Sequence, residues 1–215
     1  MDAAELAATA LTTLFVAFGP LETAAVFGGL TADVHRPERF RLAWQAVFIA
    51  GLVLLPFAFF GLQLLAALHV SLDAFRVAGG VLLMLQAIDL IFARPSGLSS
   101  LTRQEEREAM APGDIAIFPL AFPLIAGPAS LTGVVLLMGQ TAGAPLAQAI
   151  VIGAMLLCLL ATYVAMLATD VLHRVLKSTG INVIARLSGV ILAALAMQFI
   201  FDGLRGAELL RVVAE

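Results

Sequence analysis

Charge is scarce in this chain. Asp, Glu, Lys and Arg make up only 13% of its 215 residues, well below the roughly 25% of an ordinary water-soluble domain. What charge there is has no basic excess: 12 Lys and Arg stand against 15 Asp and Glu, for a net −3. Nucleic acid is therefore not expected as a partner. Cysteine is nearly absent. The single Cys158 excludes an intrachain disulfide and reads as a small apolar filler. The three histidines, His35, His69 and His173, fall in loops or at the ends of apolar runs, so no buried Ser–His pair is in sight. There is neither a His-Glu-x-x-His zinc motif nor a phosphate-cradling glycine loop. These absences argue against an enzyme and against a cofactor or bound metal, and an ATP-driven mechanism would need another subunit. The opening Met1-Asp2-Ala3-Ala4-Glu5 lacks the basic start of a cleavable signal peptide, so the first apolar run is expected to remain in the protein.

Apolar residues are abundant, at 61% with a mean hydropathy of +1.03. They gather in six runs, roughly 6–30, 42–68, 74–93, 115–138, 146–172 and 183–204. Runs near 20 residues are what a bilayer-spanning helix needs. In lipid each must satisfy its own backbone hydrogen bonds, and unbroken runs do not fit the alternating strands of a barrel. The expected fold is an all-α membrane protein of six transmembrane helices, one membrane domain over 1–215, with the lipid bilayer as its first partner. A homo-oligomer is compatible with this. Trp44 sits where an interfacial anchor would. The longest loop, 94–114, contains Pro95, Ser96, Gly97, Ser99 and Ser100 before the charged stretch 103–108, and reads as a solvated linker.

Basic residues give an orientation. Arg36, Arg39 and Arg41 follow the first run, Arg94, Arg103 and Arg107 the third, and Arg174, Lys177 and Arg186 the fifth. The other side holds only Arg76, Arg205 and Arg211. The positive-inside rule then puts both termini outside.

The chain also resembles itself. Gly19-Pro20-Leu21-Glu22-Thr23 in the first run is similar to Gly127-Pro128-Ala129-Ser130-Leu131 in the fourth, and Arg76-Val77-Ala78-Gly79 in the third to Arg186-Leu187-Ser188-Gly189 in the sixth. Both matches lie about half a chain apart. They suggest two three-helix halves, approximately 1–100 and 109–215. An odd number of spans per half inverts the second half, an architecture of secondary transporters. Recurrence of small residues wherever helices pack closely is the alternative.

Proline removes a helical hydrogen bond. Pro20 interrupts the first span, and Pro119, Pro123 and Pro128 the fourth, so the first and fourth helices are expected to break at Gly-Pro. Paired interruptions in the two halves point to a transporter's binding site, where half-helix N-termini can hold a carboxylate. Tolerated kinks are the alternative. The candidate substrate-binding residues are Gly19, Pro20, Glu22, Thr23, Gly127, Pro128, Ser130 and Thr132. Glu22 lies deep in an apolar run, where a charge costs at least about 2.5–3.5 kcal/mol. It could carry a proton, coordinate a cation, or cap the second half-helix. Gln86 and Asp89 are further candidates for a cavity or for ion coupling, with Na⁺ or H⁺ as coupling ion. Interfacial placement is the simpler reading of Asp89, and anchoring of span ends that of Arg76 and Arg186.

Three segments carry a family resemblance: Gly19-Pro20-Leu21-Glu22-Thr23-Ala24-Ala25-Val26-Phe27, Phe75-Arg76-Val77-Ala78-Gly79-Gly80, and Asp114-Ile115-Ala116-Ile117-Phe118-Pro119-Leu120-Ala121-Phe122-Pro123-Leu124-Ile125-Ala126-Gly127-Pro128. Together they resemble the MarC family, also called the neutral amino acid transporter (NAAT) family, over essentially the whole chain. The family often has Asn-Pro where this chain has Gly19-Pro20, one side-chain amide fewer. The resemblance implies a multi-pass protein of the bacterial inner membrane that moves small neutral amino acids such as alanine or glycine, or related metabolites. Rival readings are a small-metabolite exporter and a nontransporting membrane partner protein.

Overall fold

A computed structural model of the protein describes residues 2–31, 34–92 and 115–207; the expected linker 94–114 lies outside them. Among the described residues all regular structure is helical.

Helix α1, Ala3–Phe18, starts at Asp2, whose side chain accepts from the Ala3 N–H at 2.7 Å, an N-cap. It stops because Gly19 turns left-handed, φ 53° and ψ 59°, and because Pro20 has no N–H to continue the ladder. Helix α2, Pro20–Leu30, opens with that proline in its first turn, where no donor is missed. The two run on as one stretch of 28 residues, Ala3–Leu30. Helix α3, Arg36–Ala67, carries Pro56 in its interior, and α4 covers Leu72–Phe92.

Segment α5, Ala116–Ile125, is helical only in outline. Phe118 and Phe122 are extended, at φ −129°, ψ 122° and φ −138°, ψ 128°. Each precedes a proline, which disfavours the helical region for its predecessor; both Phe-Pro peptide bonds are cis. The surviving bonds are wide, Leu120 N–H to the Ile115 carbonyl at 3.4 Å and Ala126 N–H to the Ala121 carbonyl at 2.9 Å, each spanning five residues. A bend of 52° separates α5 from α6, Pro128–Gln140. The chain continues into α7, Pro145–Leu167, and α8, Thr169–Gly206.

Among the described residues five helical stretches, the joined α1–α2 being one, are long and apolar enough to cross a membrane, or six if the bent pair α5–α6 is one span. Trp44, Phe48, Leu52, Phe60, Leu156 and Leu160 face outward at half exposure or more, as lipid-facing side chains would. Trp44 stacks on Phe48 and meets Tyr163 edge-on, with centroids 6.2 and 6.1 Å away.

The helices differ from the sequence expectation at their ends. The basic residues Arg36, Arg39 and Arg41 ride on the first turns of α3, and the stretch between the fifth and sixth apolar runs, expected as a loop, lies within α8. Hydropathy marks where lipid ends. A helix continues past that point until proline or a left-handed residue stops it, and charged residues are good helix formers.

The most extensive packing is α4 on α8; α1 and α2 pack on α7, α3 on α5, α6 and α7, α4 on α6, and α2 on α8. Glycines set the α4–α8 approach. A Cβ at Gly80 would meet the Ala196 carbonyl at 2.8 Å, one at Gly189 the Ala87 carbonyl at 2.9 Å, and one at Gly203 the Asp73 carbonyl at 2.7 Å. Rising numbers on α4 face falling numbers on α8, so the two helices are antiparallel.

Candidate substrate site at the Gly-Pro junctions

The break at Gly19 leaves the last carbonyls of α1 without helical partners. Three of the carbonyls at this end are met, from different directions. The Phe15 carbonyl accepts from the Gly19 N–H at 3.2 Å. The Phe18 carbonyl accepts from Thr23 Oγ1 at 3.2 Å. The Ala17 carbonyl accepts twice, from Gln86 Nε2 of α4 at 3.3 Å and from Ser130 Oγ of α6 at 3.2 Å. One backbone oxygen in the first half thus holds a side chain from the other Gly-Pro junction. Thr23 and Ser130 are both about 1% exposed, which makes these bonds structurally demanding.

The second junction repeats the bonding and not the conformation. Gly19 and Gly127 each give their carbonyl to the first hydrogen bond of the helix they precede, from Thr23 N–H at 2.9 Å and Leu131 N–H at 3.0 Å. The first-turn amides of Leu21 and Glu22, and of Ala129 and Ser130, have no carbonyl four residues back in their own helix. Gly127, however, is extended, at φ −75° and ψ 176°. A Cβ there would collide with the Pro123 carbonyl, so glycine permits the close approach of two backbones.

Glu22 is half-buried. Its carboxylate lies beside Gly19, where a Cβ would meet Oε2 at 3.0 Å. The Gly19 N–H that a capping carboxylate would take is already given to Phe15. Among the described residues Glu22 makes no hydrogen bond or ion pair. It lines a pocket with Phe15, Gly19, Pro20, Leu90 and Ser188. The pocket's volume of about 20 Å³ is room for one water molecule, so an amino acid is excluded in this conformation.

The candidates therefore divide. Thr23, Gln86 and Ser130 converge on the end of α1, while Gly19, Pro20 and Glu22 share the pocket. Gly127 and Pro128 do not line it. Thr132 is buried and packs its methyl where a Cβ on Gly79 would lie. Asp89 is half-buried on α4 and outside the pocket.

The structure adds residues that sequence reasoning passes over. Ser188 lines the same pocket as Glu22; it stands inside the repeat match at Arg186-Leu187-Ser188-Gly189 and could have been found there. Thr13 is fully buried, with its hydroxyl unpartnered among the described residues. Thr169 Oγ1 reaches the Ala24 carbonyl at 3.1 Å. Arg39 pairs with Asp170 at 3.1 Å and lies over the Phe27 ring, 5.8 Å from its centroid. Among the described residues no three His, Cys, Asp or Glu side chains gather as a metal site.

A larger cavity, about 490 Å³, lies at the end of the bundle where α1 and α4 begin and α6 and α8 finish. Its polar wall is Glu5, Thr9, Arg76, Gln140, Gln198 and Asp202.

A polytopic helical membrane protein with two Gly-Pro junctions tied through one backbone carbonyl is the class that these features define. The chain belongs to the MarC family: residues 5–208 match the profile described as MarC family integral membrane protein. It is similar to a UPF0056 membrane protein of Methanocaldococcus jannaschii, 36% identical over 93% of this chain and 96% of the relative. It is also similar to the UPF0056 inner membrane protein YhgN of Escherichia coli K12, 33% identical over 92% and 95%, and to the UPF0056 membrane protein YvbG of Bacillus subtilis, 31% identical over 90% and 92%. No solved structure matches the chain.

Proposed function

We propose that the protein is a secondary transporter of small neutral amino acids or related metabolites, without covalent chemistry of its own. The carrying observation is the Ala17 carbonyl, held jointly by Gln86 and by Ser130. It couples the end of one broken helix to the start of the other, and a relative movement of the halves must change it.

Two inverted three-helix halves are part of the reading. Exchanging the first span with the fourth, the second with the fifth and the third with the sixth preserves the larger packing contacts, though not the contacts of α1 with α8 or of α7 with α6 and α8. The contact of α1 and α2 with α7 becomes that of α5 and α6 with α3, and α2 on α8 becomes α6 on α4. The antiparallel register of α4 on α8 supports six crossings. If α5–α6 turned back to its own side, α8 would run parallel to α4.

In this reading the basic starts of α3 and α8 face the cytoplasm and both termini the periplasm. The name of the Escherichia coli relative favours the inner membrane. Glu22, unpartnered among the described residues at lipid depth, is the coupling group, stable there with a proton or with a cation beside it.

The test is uptake by proteoliposomes across amino acids, under imposed Na⁺ and H⁺ gradients. Saturable, gradient-driven accumulation is expected, and Glu22→Gln should retain exchange while losing accumulation. Absence of saturable flux for every amino acid under both gradients would sink the transport reading in favour of a partner role. Flux driven only outward would identify an exporter.

A further inference from the structure

We propose that the groove between α3 and α7 binds one anionic phospholipid, which lays an acyl chain along the groove and sets its phosphate beside Arg41. Such a site does not require the protein to transport anything.

The groove exists because a side chain is missing. Trp44, Phe48 and Leu52 of α3 form one wall and Leu156 and Leu160 of α7 the other, each half exposed or more. The floor is Gly51 against Leu159, both buried; a Cβ on Gly51 would already touch Leu159 Cδ1, at 3.5 Å. Glycine thus leaves a trough of about 280 Å³ between two ridges of large apolar side chains. In lipid no hydrophobic force closes a trough, since tails are as apolar as leucine. An empty one forfeits dispersion contacts, and an acyl chain restores them.

The trough has the course of one leaflet. Trp44 meets Tyr163 edge-on at one end, with centroids 6.1 Å apart, and these two residue types mark the headgroup level. From Trp44 the groove runs to Leu55, about 16 Å by helical rise, or half of a hydrocarbon core of about 30 Å. It therefore leads from the headgroups to the midplane, as a lipid tail does. A second copy docked about a two-fold axis on this face would set trough against trough and fill neither.

Charge selects the headgroup. Arg41 precedes Trp44 by three residues, so it shares that side of α3 almost one turn farther out. It is exposed and has no ion-pair partner among the described residues. The charges around it cancel. Arg39 is paired with Asp170 at 3.1 Å, and Arg36 and Glu38, both exposed in the first turn of α3, offset one another. One uncompensated guanidinium is left, and it suits a phosphodiester that bears a single negative charge. A zwitterionic lipid would bring a second cation beside Arg41. The Tyr163 hydroxyl, at the depth of Trp44, has no hydrogen-bond partner among the described residues and is a donor for the lipid's ester or phosphate oxygens.

Trp44 is the chain's single tryptophan, so tryptophan fluorescence reports from the groove alone. The experiment titrates the full chain, in a nonionic detergent, with phosphatidylglycerol or phosphatidylcholine brominated on the acyl chains. Saturable quenching is expected, with phosphatidylglycerol half-saturating at an about fivefold lower mole fraction. Arg41→Gln should bring phosphatidylglycerol to the level of phosphatidylcholine. Gly51→Leu fills the trough and should remove saturable quenching by either lipid. Should that variant fail to fold, Leu156→Phe narrows the trough from its exposed rim and should weaken both lipids alike. Three results overturn the proposal: equal half-saturation by the two lipids in wild type; an unchanged preference for phosphatidylglycerol in Arg41→Gln; or wild-type quenching in a folded variant with the trough filled or narrowed. Dimers in light scattering, with Trp44 shielded from both lipids, would assign the face to a second copy and overturn it too.

Discussion

The two Gly-Pro junctions use one dipeptide to make two different structures. At Gly19 the backbone turns left-handed and the chain carries on as a single 28-residue stretch. At Gly127 the backbone is extended and the chain bends by 52°. The residues preceding the dipeptide make the difference. Before Gly19 stands an uninterrupted helix, and one residue in the left-handed region is enough to end it and restart it. Before Gly127 stand Phe118-Pro119 and Phe122-Pro123, each forcing its phenylalanine out of the helix, so the segment arrives already unwound. Gly19 is therefore required for its dihedral angles and Gly127 for its missing side chain.

That contrast orders the effects of substitution. Gly127→Ala should be the most damaging, because its Cβ meets the Pro123 carbonyl, a backbone atom with nowhere to go. A loss of about 3 kcal/mol is expected, at the upper end for overpacking, read as a lowered unfolding temperature in detergent together with lost uptake. A stable, active Gly127→Ala would show that the close approach is dispensable.

Next come the two donors to Ala17. Ser130→Ala or Gln86→Leu alone leaves the carbonyl one partner and should cost about 1 kcal/mol each. The double variant strips it bare. It should exceed the sum of the single effects by about 1 kcal/mol. Strict additivity in a double-mutant cycle would break the claim that one oxygen joins the two junctions.

Gly19→Ala should cost about 1–2 kcal/mol through its left-handed dihedral, with the flexible end of Glu22 free to move aside. Gly19→Asn should cost less than Gly19→Ala, because asparagine enters that region more readily. An Asn-Pro pair in place of Gly19-Pro20 would meet the same backbone demand. Equal losses for alanine and asparagine would mean that space, and not φ, governs this position. The smallest effect is expected at the opposite end of the bundle. Arg39→Gln removes an ion pair whose aspartate is half exposed, and a change under about 1 kcal/mol should result in the same unfolding assay.

Much of this could be read in the residues. Six apolar runs, the two Gly-Pro pairs and the isolated Glu22 are visible as composition and spacing, because lipid imposes the same demand on every span. The sign of φ at Gly19 was not, since the dipeptide permits either. The Ala17 carbonyl had no signature at all: it is a backbone atom, and any residue could supply it. Ser130 and Gln86 were named as candidates, but their common target emerges only when α1, α4 and α6 are brought together. The length of α8 was hidden because hydropathy falls where the lipid ends, whereas the helix does not. The cavity near the termini escaped for a related reason. Arg76 read as an anchor for its own helix, and its neighbours Glu5 and Asp202 lie far away in sequence.

Helix α8 has 38 residues, a rod of about 57 Å. From Gly189 to Gly206 it is clamped by glycine contacts along α4. At its other end, some 30 Å from the clamp by helical rise, two polar contacts are seen among the described residues, Thr169 to the Ala24 carbonyl and Asp170 to Arg39. Mechanically this is a lever with its fulcrum on α4. A rotation of about 10° at the clamp would carry the tip about 5 Å for an arm of that length, enough to release both fastenings at once. Any small rotation in the packed interior would thereby become a larger displacement at the far end of α8.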